Sequence, residues 1–107
     1  MLSKKSRLTK KEFDHVFKNG KRIHSPSMQL IYTPGEKFHG AAVVGKKVHK
    51  RAVDRNRLRR RLYGVLYRYQ KAQGCTGNYI LIAKPPLKEV SKKDFTVEVL
   101  GVLEKVV

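Results

Sequence analysis

Lys50-Arg51-Ala52-Val53-Asp54-Arg55-Asn56-Arg57-Leu58-Arg59-Arg60-Arg61-Leu62 is the stretch around which the rest of the chain organises. Leu58 and Leu62 are four apart, and Val65, Leu66 and Tyr69 continue the same stripe, the spacing of one helix face. A helix over 53–73 follows, ended by Gly74, Gly77 and Asn78. Six of the eight residues from 55 to 62 are Arg or Asn. On a helix, Arg55 and Arg59 form one row, Asn56 and Arg60 the next, Arg57 and Arg61 a third. Residues 55–61 thus present five guanidiniums at fixed spacing. A guanidinium's planar fork binds phosphate bidentately and stacks on bases. Asn56 both donates and accepts, which a purely electrostatic patch does not need. A solvated face laced with ion pairs would need acids, and Asp54 is the only one between Lys46 and Gln73.

Working outward, Thr9 and Glu12 have capping-box spacing, and Leu8 with Phe13 that of a hydrophobic staple. A helix is predicted over 10–19, with Phe13, Val16 and Phe17 on one face and Gly20 as its stop. Met28 to Thr33 alternates as a strand, Met28, Leu30 and Tyr32 on one face, Gln29, Ile31 and Thr33 on the other. A shorter strand over 22–25 precedes it, bounded by Pro26. Thr33-Pro34-Gly35-Glu36 marks a turn, and a strand over 38–45 follows. A basic loop over 46–51, with Lys46, Lys47 and Arg51, leads into the long helix. Tyr79 to Ala83 is apolar throughout, as in a strand buried on both faces. Pro85-Pro86 stops it, and Ser91 with Asp94 opens a last helix, whose apolar face is Phe95, Val99, Val102, Leu103 and Val106. The order helix, three strands, helix, strand, helix predicts an α/β (α+β) sandwich with helices packed on a small sheet.

The chain has 107 residues, 25 Lys plus Arg against 8 Asp plus Glu, and a formal net charge of +17. That length suits one domain over 1–107, with 1–7 as a loose basic arm. At 40% hydrophobic residues it can build a core. A lone cysteine, Cys75, excludes an internal disulfide or a cysteine-based zinc cage. The longest apolar run, Tyr79 to Ala83, is too short to span a bilayer, and the charged N-terminus lacks the apolar stretch of a signal peptide. The expectation is a reduced, soluble, cytoplasmic protein. A compact body this positive needs an anionic partner, and nucleic acid is the strongest reading. Membrane binding would require an apolar helix face to spare, and these helices use theirs for the core.

With these residues in view, the sequence resembles the protein subunit of bacterial ribonuclease P over nearly its whole length. The resemblance runs from Arg7-Leu8 through Phe13 with Val16-Phe17, Gly20-Lys21-Arg22, Leu30-Ile31-Tyr32 and Val43-Val44-Gly45-Lys46-Lys47. Its strongest part is Ala52 to Arg60, matching the family's Arg-Asn-Arg motif. Tyr79 to Pro85 and the last helix complete it. The resemblance implies a four-stranded mixed sheet, ribosomal protein S5 domain 2-like, whose two parallel strands are joined through the basic helix by a left-handed crossover; chirality rules alone would give a right-handed one. It implies that a large RNA partner is the catalyst, cutting precursor tRNA at the mature 5′ end with Mg²⁺ held mainly by the RNA. The protein, a monomer bound one to one, would grip that RNA and the 5′ leader. RNA contacts fall on Lys46, Lys47, Arg51, Arg55, Asn56, Arg57, Arg59, Arg60 and Arg61. The leader cleft, between sheet and first helix, falls on Phe13, Phe17 and Tyr32. One departure is visible: the family usually has a basic residue three past Arg60, where this chain has Tyr63, and Arg61 from a neighbouring row is the substitute.

Other readings stay open on sequence alone. Phe13, Phe17 and Tyr32 also suit a core. A ribosomal or general RNA-binding protein fits the charge and size equally well. An autonomous nuclease could use two of His15, His24, His39 and His49 as acid and base, although no pair has a motif. A helix-turn-helix DNA reader fits less well, because the basic helix lies between strands. No paired-carboxylate site, phosphate-cradling glycine loop or metal-ligand spacing stands out, so no residue is expected to be catalytic.

Overall fold

The computed structural model describes residues 7–105. Residues 1–6 of the predicted arm and the apolar position Val106 lie outside the described residues. Three helices and four strands run in the order α1 (Lys10–Asn19), β1 (Lys21–His24), β2 (Met28–Thr33), β3 (Phe38–Val43), α2 (Ala52–Gln73), β4 (Gly77–Ala83) and α3 (Lys92–Glu104), with a 3₁₀ turn over Pro85–Glu89 before α3. The sheet order is β1-β2-β4-β3. β2 pairs antiparallel with β1 and β4, while β3 pairs parallel with β4. The sheet is therefore mixed, and α2 is the crossover between its parallel strands, as such strands require.

Local chemistry accounts for the boundaries. Thr9 Oγ1 accepts from the Glu12 amide at 3.2 Å while the Thr9 amide donates to Glu12 Oε1 at 2.9 Å, a reciprocal cap that starts α1. Ser91 Oγ accepts from the Asp94 amide and starts α3. Gly74 ends α2 in the left-handed region (φ 61°), its amide donating to Gln70 O at 2.8 Å. β3 stops at Val43 rather than Gly45, because Gly45 O instead accepts from the Val48 and His49 amides in a turn. β4 starts two residues early, where the Gly77 amide donates to Lys37 O.

Alternation along the strands feeds two cores. Met28, Leu30, Tyr79, Leu81 and Ala42 meet Leu58, Leu62, Val65 and Leu66 of α2 and Phe95, Val99, Val102 and Leu103 of α3. On the opposite face Ile31, Ile80 and Ala41 meet Val16 of α1. Thus α2 and α3 cover one face and α1 the other. β4, flanked on both edges and covered on both faces, is buried at Tyr79, Ile80, Leu81 and Ala83, which explains its unbroken apolar run. α1 contributes one buried side chain, Val16, so its two aromatics are left at the rim. Arg7 is not part of a loose arm: it bridges Gly40 in parallel, and the Leu8 amide donates to Gly40 O.

Candidate nucleic-acid interface

α2 begins without a side-chain cap, at Arg51, and its first turn holds one acid, Asp54. Lys46, Lys47, Lys50 and Arg51 are exposed in the segment leading to it. Cations beside the positive end of a helix dipole are unfavourable by themselves and become favourable once an anion sits among them. The arrangement is costly for the free protein and suited to phosphate.

The guanidiniums of α2 have distinct surroundings. Arg55 is half-buried, and its Nη1 donates to the carbonyls of His49 at 3.1 Å and Lys50 at 2.7 Å. Arg55 therefore ties the basic loop to the helix through Nη1, a structural role beside the RNA contact expected of it. Arg59 Nη1 donates to Asn56 Oδ1 at 2.9 Å, so these two side chains are held as one unit. Arg57 and Arg60 are exposed. Arg61 lies over the Phe95 ring, 4.6 Å from its centroid. None of these five makes an ion pair with another described residue.

Arg61 therefore faces α3 and cannot stand in beside Tyr63. Another element supplies the cation there: the Arg7 guanidinium sits over the Tyr63 ring, 5.6 Å from its centroid. Sequence reasoning missed this pair, since only the Arg7–Gly40 bridge brings the two together.

The predicted cleft residues separate. Phe13 and Phe17 stack on α1 with centroids 6.0 Å apart and planes 18° apart. Phe17 is 41% exposed, and the Arg22 guanidinium lies 4.8 Å from its ring centroid while Nη2 donates to Phe17 O at 2.8 Å. Tyr32 is elsewhere. It faces α2 and α3, with Tyr79 at 5.0 Å, and Tyr79 in turn meets Phe38 at 5.6 Å. Tyr32 follows Ile31, and neighbouring strand residues point to opposite faces; Ile31 packs under α1, so Tyr32 cannot line the same cleft. Burial holds the Tyr79 hydroxyl protonated well above the usual tyrosine range, reinforced by Cys75, and that hydroxyl donates to Thr76 O.

What lines the α1 face instead is the register row His24, Gln29, Ile82 and Val43, one residue from each strand. Its members are half-buried except His24, which is exposed, and Ile82 and Val43, like Phe13, pack at the edge of the smaller core. An apolar floor, two stacked aromatics and a cation make a platform of the kind that holds single-stranded nucleic acid. The period-2 reading of β1 around buried Ile23 carries a signal for Arg22 and His24 on this face. Among the described residues no group of three His, Cys, Asp or Glu side chains could hold a metal, and no helix is long and apolar enough to cross a membrane.

Comparison with known proteins gives a consistent picture. The family model described as Ribonuclease P matches residues 2–107. The ribonuclease P protein component of a Nitratiruptor species is 39% identical over 98 residues, covering 92% of this chain and 88% of the relative. That of Synechococcus elongatus is 33% identical over 100 residues, covering 87% and 82%. Among solved structures, a Staphylococcus aureus RNase P protein mutant superposes with a TM-score of 0.85 at 20% identity, covering 96% of this chain and 89% of that one. The Thermotoga maritima RNase P protein gives 0.82 at 21% identity, covering 92% and 96%.

Proposed function

The chain belongs to the Ribonuclease P protein family, and on that premise we propose that it is the RNA-binding subunit of a ribonucleoprotein that removes the 5′ leader from precursor tRNA. The Asn56–Arg59–Arg60 face, with Lys46, Lys47 and Arg51, grips the catalytic RNA. The leader lies over Phe13 and Phe17 and along the Gln29–Ile82–Val43 row. Bond cleavage belongs to the RNA partner, and the protein acts in the cytoplasm as a monomer in a one-to-one complex. Its contribution is phosphate neutralisation, which lowers repulsion between two RNAs. The observation that carries this reading is a helix with six guanidiniums, five of them between residues 55 and 61, none paired to a described carboxylate. Mg²⁺, held mainly by the RNA, would serve the RNA chemistry.

Reconstitution tests the proposal. Purified protein added to a bacterial ribonuclease P RNA at low Mg²⁺ is expected to raise precursor-tRNA cleavage. If about six phosphates lose counterions, log affinity falls against log salt with a slope of about −4 to −5. Phe17→Ala is expected to weaken binding of precursor tRNA with a leader and spare mature tRNA. Equal losses for both would favour a general RNA-binding protein. Cleavage by protein alone, without RNA, would overturn the assignment of catalysis.

A further inference from the structure

The cations of α2 do not form one surface. Asn56, Arg59 and Tyr63 share the flank that meets Arg7. Arg57, Arg61 and Arg68 share the other, at spacings of four and seven residues, with Gly64 in the same row. There α3 completes an open groove with Lys92, Phe95 and Thr96, with a volume of about 500 Å³. Four of its eight lining residues are Lys or Arg, and none is Asp or Glu. Arg57, Arg68 and Lys92 are exposed, while Arg61 is half-buried with its guanidinium over the Phe95 ring, 4.6 Å from the centroid. The row from Arg57 to Arg68 extends about 16 Å along the helix.

Gly64 is an independent sign that the groove is meant to be open. A glycine inside a helix lowers its stability relative to alanine. A Cβ built at Gly64 meets nothing within 4 Å, so packing does not require the glycine. What it leaves is clearance between Arg57, Arg61 and Arg68 on one wall and Thr96 on the other.

We propose that the α2–α3 groove is a second RNA-binding site, taking a single-stranded stretch of phosphate backbone separately from the Asn56–Arg59–Arg60 face. The strand runs along the groove, with phosphates on Arg57, Arg68 and Lys92 and a base stacked on the outer face of Arg61. At about 3.4 Å per stacked nucleotide, the arginine row spans about five nucleotides. The protein then bridges two RNA segments across one helix. This inference rests on the chain's being the RNA-binding subunit of ribonuclease P.

The test measures affinity of the full chain for bacterial ribonuclease P RNA across a salt series. The double variant Arg68→Ala with Lys92→Ala is expected to weaken binding about tenfold and to make the log–log slope shallower by about two, one per lost phosphate contact. Lys37→Ala with Lys105→Ala removes the same charge from exposed positions outside the groove, and is expected to keep the parent slope. Equal changes in the two pairs would mean a diffuse field and overturn the groove. Gly64→Leu fills the cavity without changing charge. It is expected to weaken binding about fivefold while circular dichroism and melting temperature are retained; unchanged affinity would overturn a seated strand. Asn56→Ala with Arg59→Ala separates the two claims. If that variant loses affinity and Arg68→Ala with Lys92→Ala does not, the groove alone fails. If neither loses affinity, the reading of the chain as the RNA-binding subunit fails as well.

Discussion

Replacing Arg55 by Ala separates a structural arginine from a binding one. Both hydrogen bonds of Arg55 come from a single nitrogen, Nη1, to the carbonyls of His49 and Lys50. A hydrogen bond from a charged donor contributes about 1.5–3 kcal/mol when well formed. Here one nitrogen serves two acceptors and the residue is half-exposed, so the pair is worth about 1–2 kcal/mol together. At about 4–8 °C per kcal/mol for a domain of this size, the melting temperature should fall by about 4–16 °C. Arg59→Ala and Arg60→Ala, on side chains without such ties to the backbone, should stay within about 0.5 kcal/mol of the parent. RNA affinity should fall in all three, in Arg55→Ala because the loop with Lys46 and Lys47 loses its anchor. Thermal melts and RNA titrations of the three variants decide the matter. A parent-like melting temperature for Arg55→Ala would refute the assignment of Arg55 as the loop's tie.

Three further outcomes follow from local geometry. Hydrogen bonds from the Thr9 amide and hydroxyl hold the Glu12 carboxyl below its ordinary value of 4.5; its contribution is therefore full above that value and lost as pH falls through the depressed one, so an acid titration followed by amide exchange should show α1 loosening first, with Glu12→Gln removing the transition. Gly20→Ala would push a Cβ against the Ile31 side chain and to 2.6 Å from Val16 O, where backbone cannot yield, and should destabilise by about 1–3 kcal/mol in denaturant melts. Glu98 accepts from Ser25 Oγ at 2.5 Å and from the Ser27 amide at 2.9 Å, and Glu98→Ala strands the buried Ser27 donor, so chemical denaturation should show a loss of about 1–3 kcal/mol.

The periodicities carried most of the architecture. The α2 stripe Leu58, Leu62, Val65 and Leu66 is buried as its spacing required, and the apolar run of β4 marks the strand with neighbours on both sides. The site was less legible, for three physical reasons. Alternation shows that Ile31 and Tyr32 face opposite ways, but it does not say which face α1 will cover, and that decided Tyr32. Helical rows place Arg55 on the surface, yet the turn at Gly45 folds the His49 and Lys50 carbonyls back onto it, a loop conformation without periodicity. The partners of Arg61 and Tyr63 are Phe95 and Arg7, each more than thirty residues away in sequence. Such pairings depend on how elements dock, not on the pattern within one element.

Those pairings also change what the arginines can contribute. A free Arg side chain loses about 1.5–2 kcal/mol of rotamer entropy when it is fixed. Arg59 is already held by Asn56, Arg61 by Phe95 and Arg7 against Tyr63, so part of that cost is met when the protein folds. Lys46, Lys47 and Lys50 are exposed in the segment before α2. Their ammonium groups are point charges without fixed geometry, suited to drawing a polyanion in rather than to choosing its conformation. The distinction explains why Arg, not Lys, fills the helix while Lys is common in the loop before it. A mere excess of positive charge would be satisfied by either residue in either place. A surface that must hold one folded RNA in one orientation needs its forks set before the RNA arrives, and only the helix, with α3, Asn56 and the N-terminal segment against it, can set them.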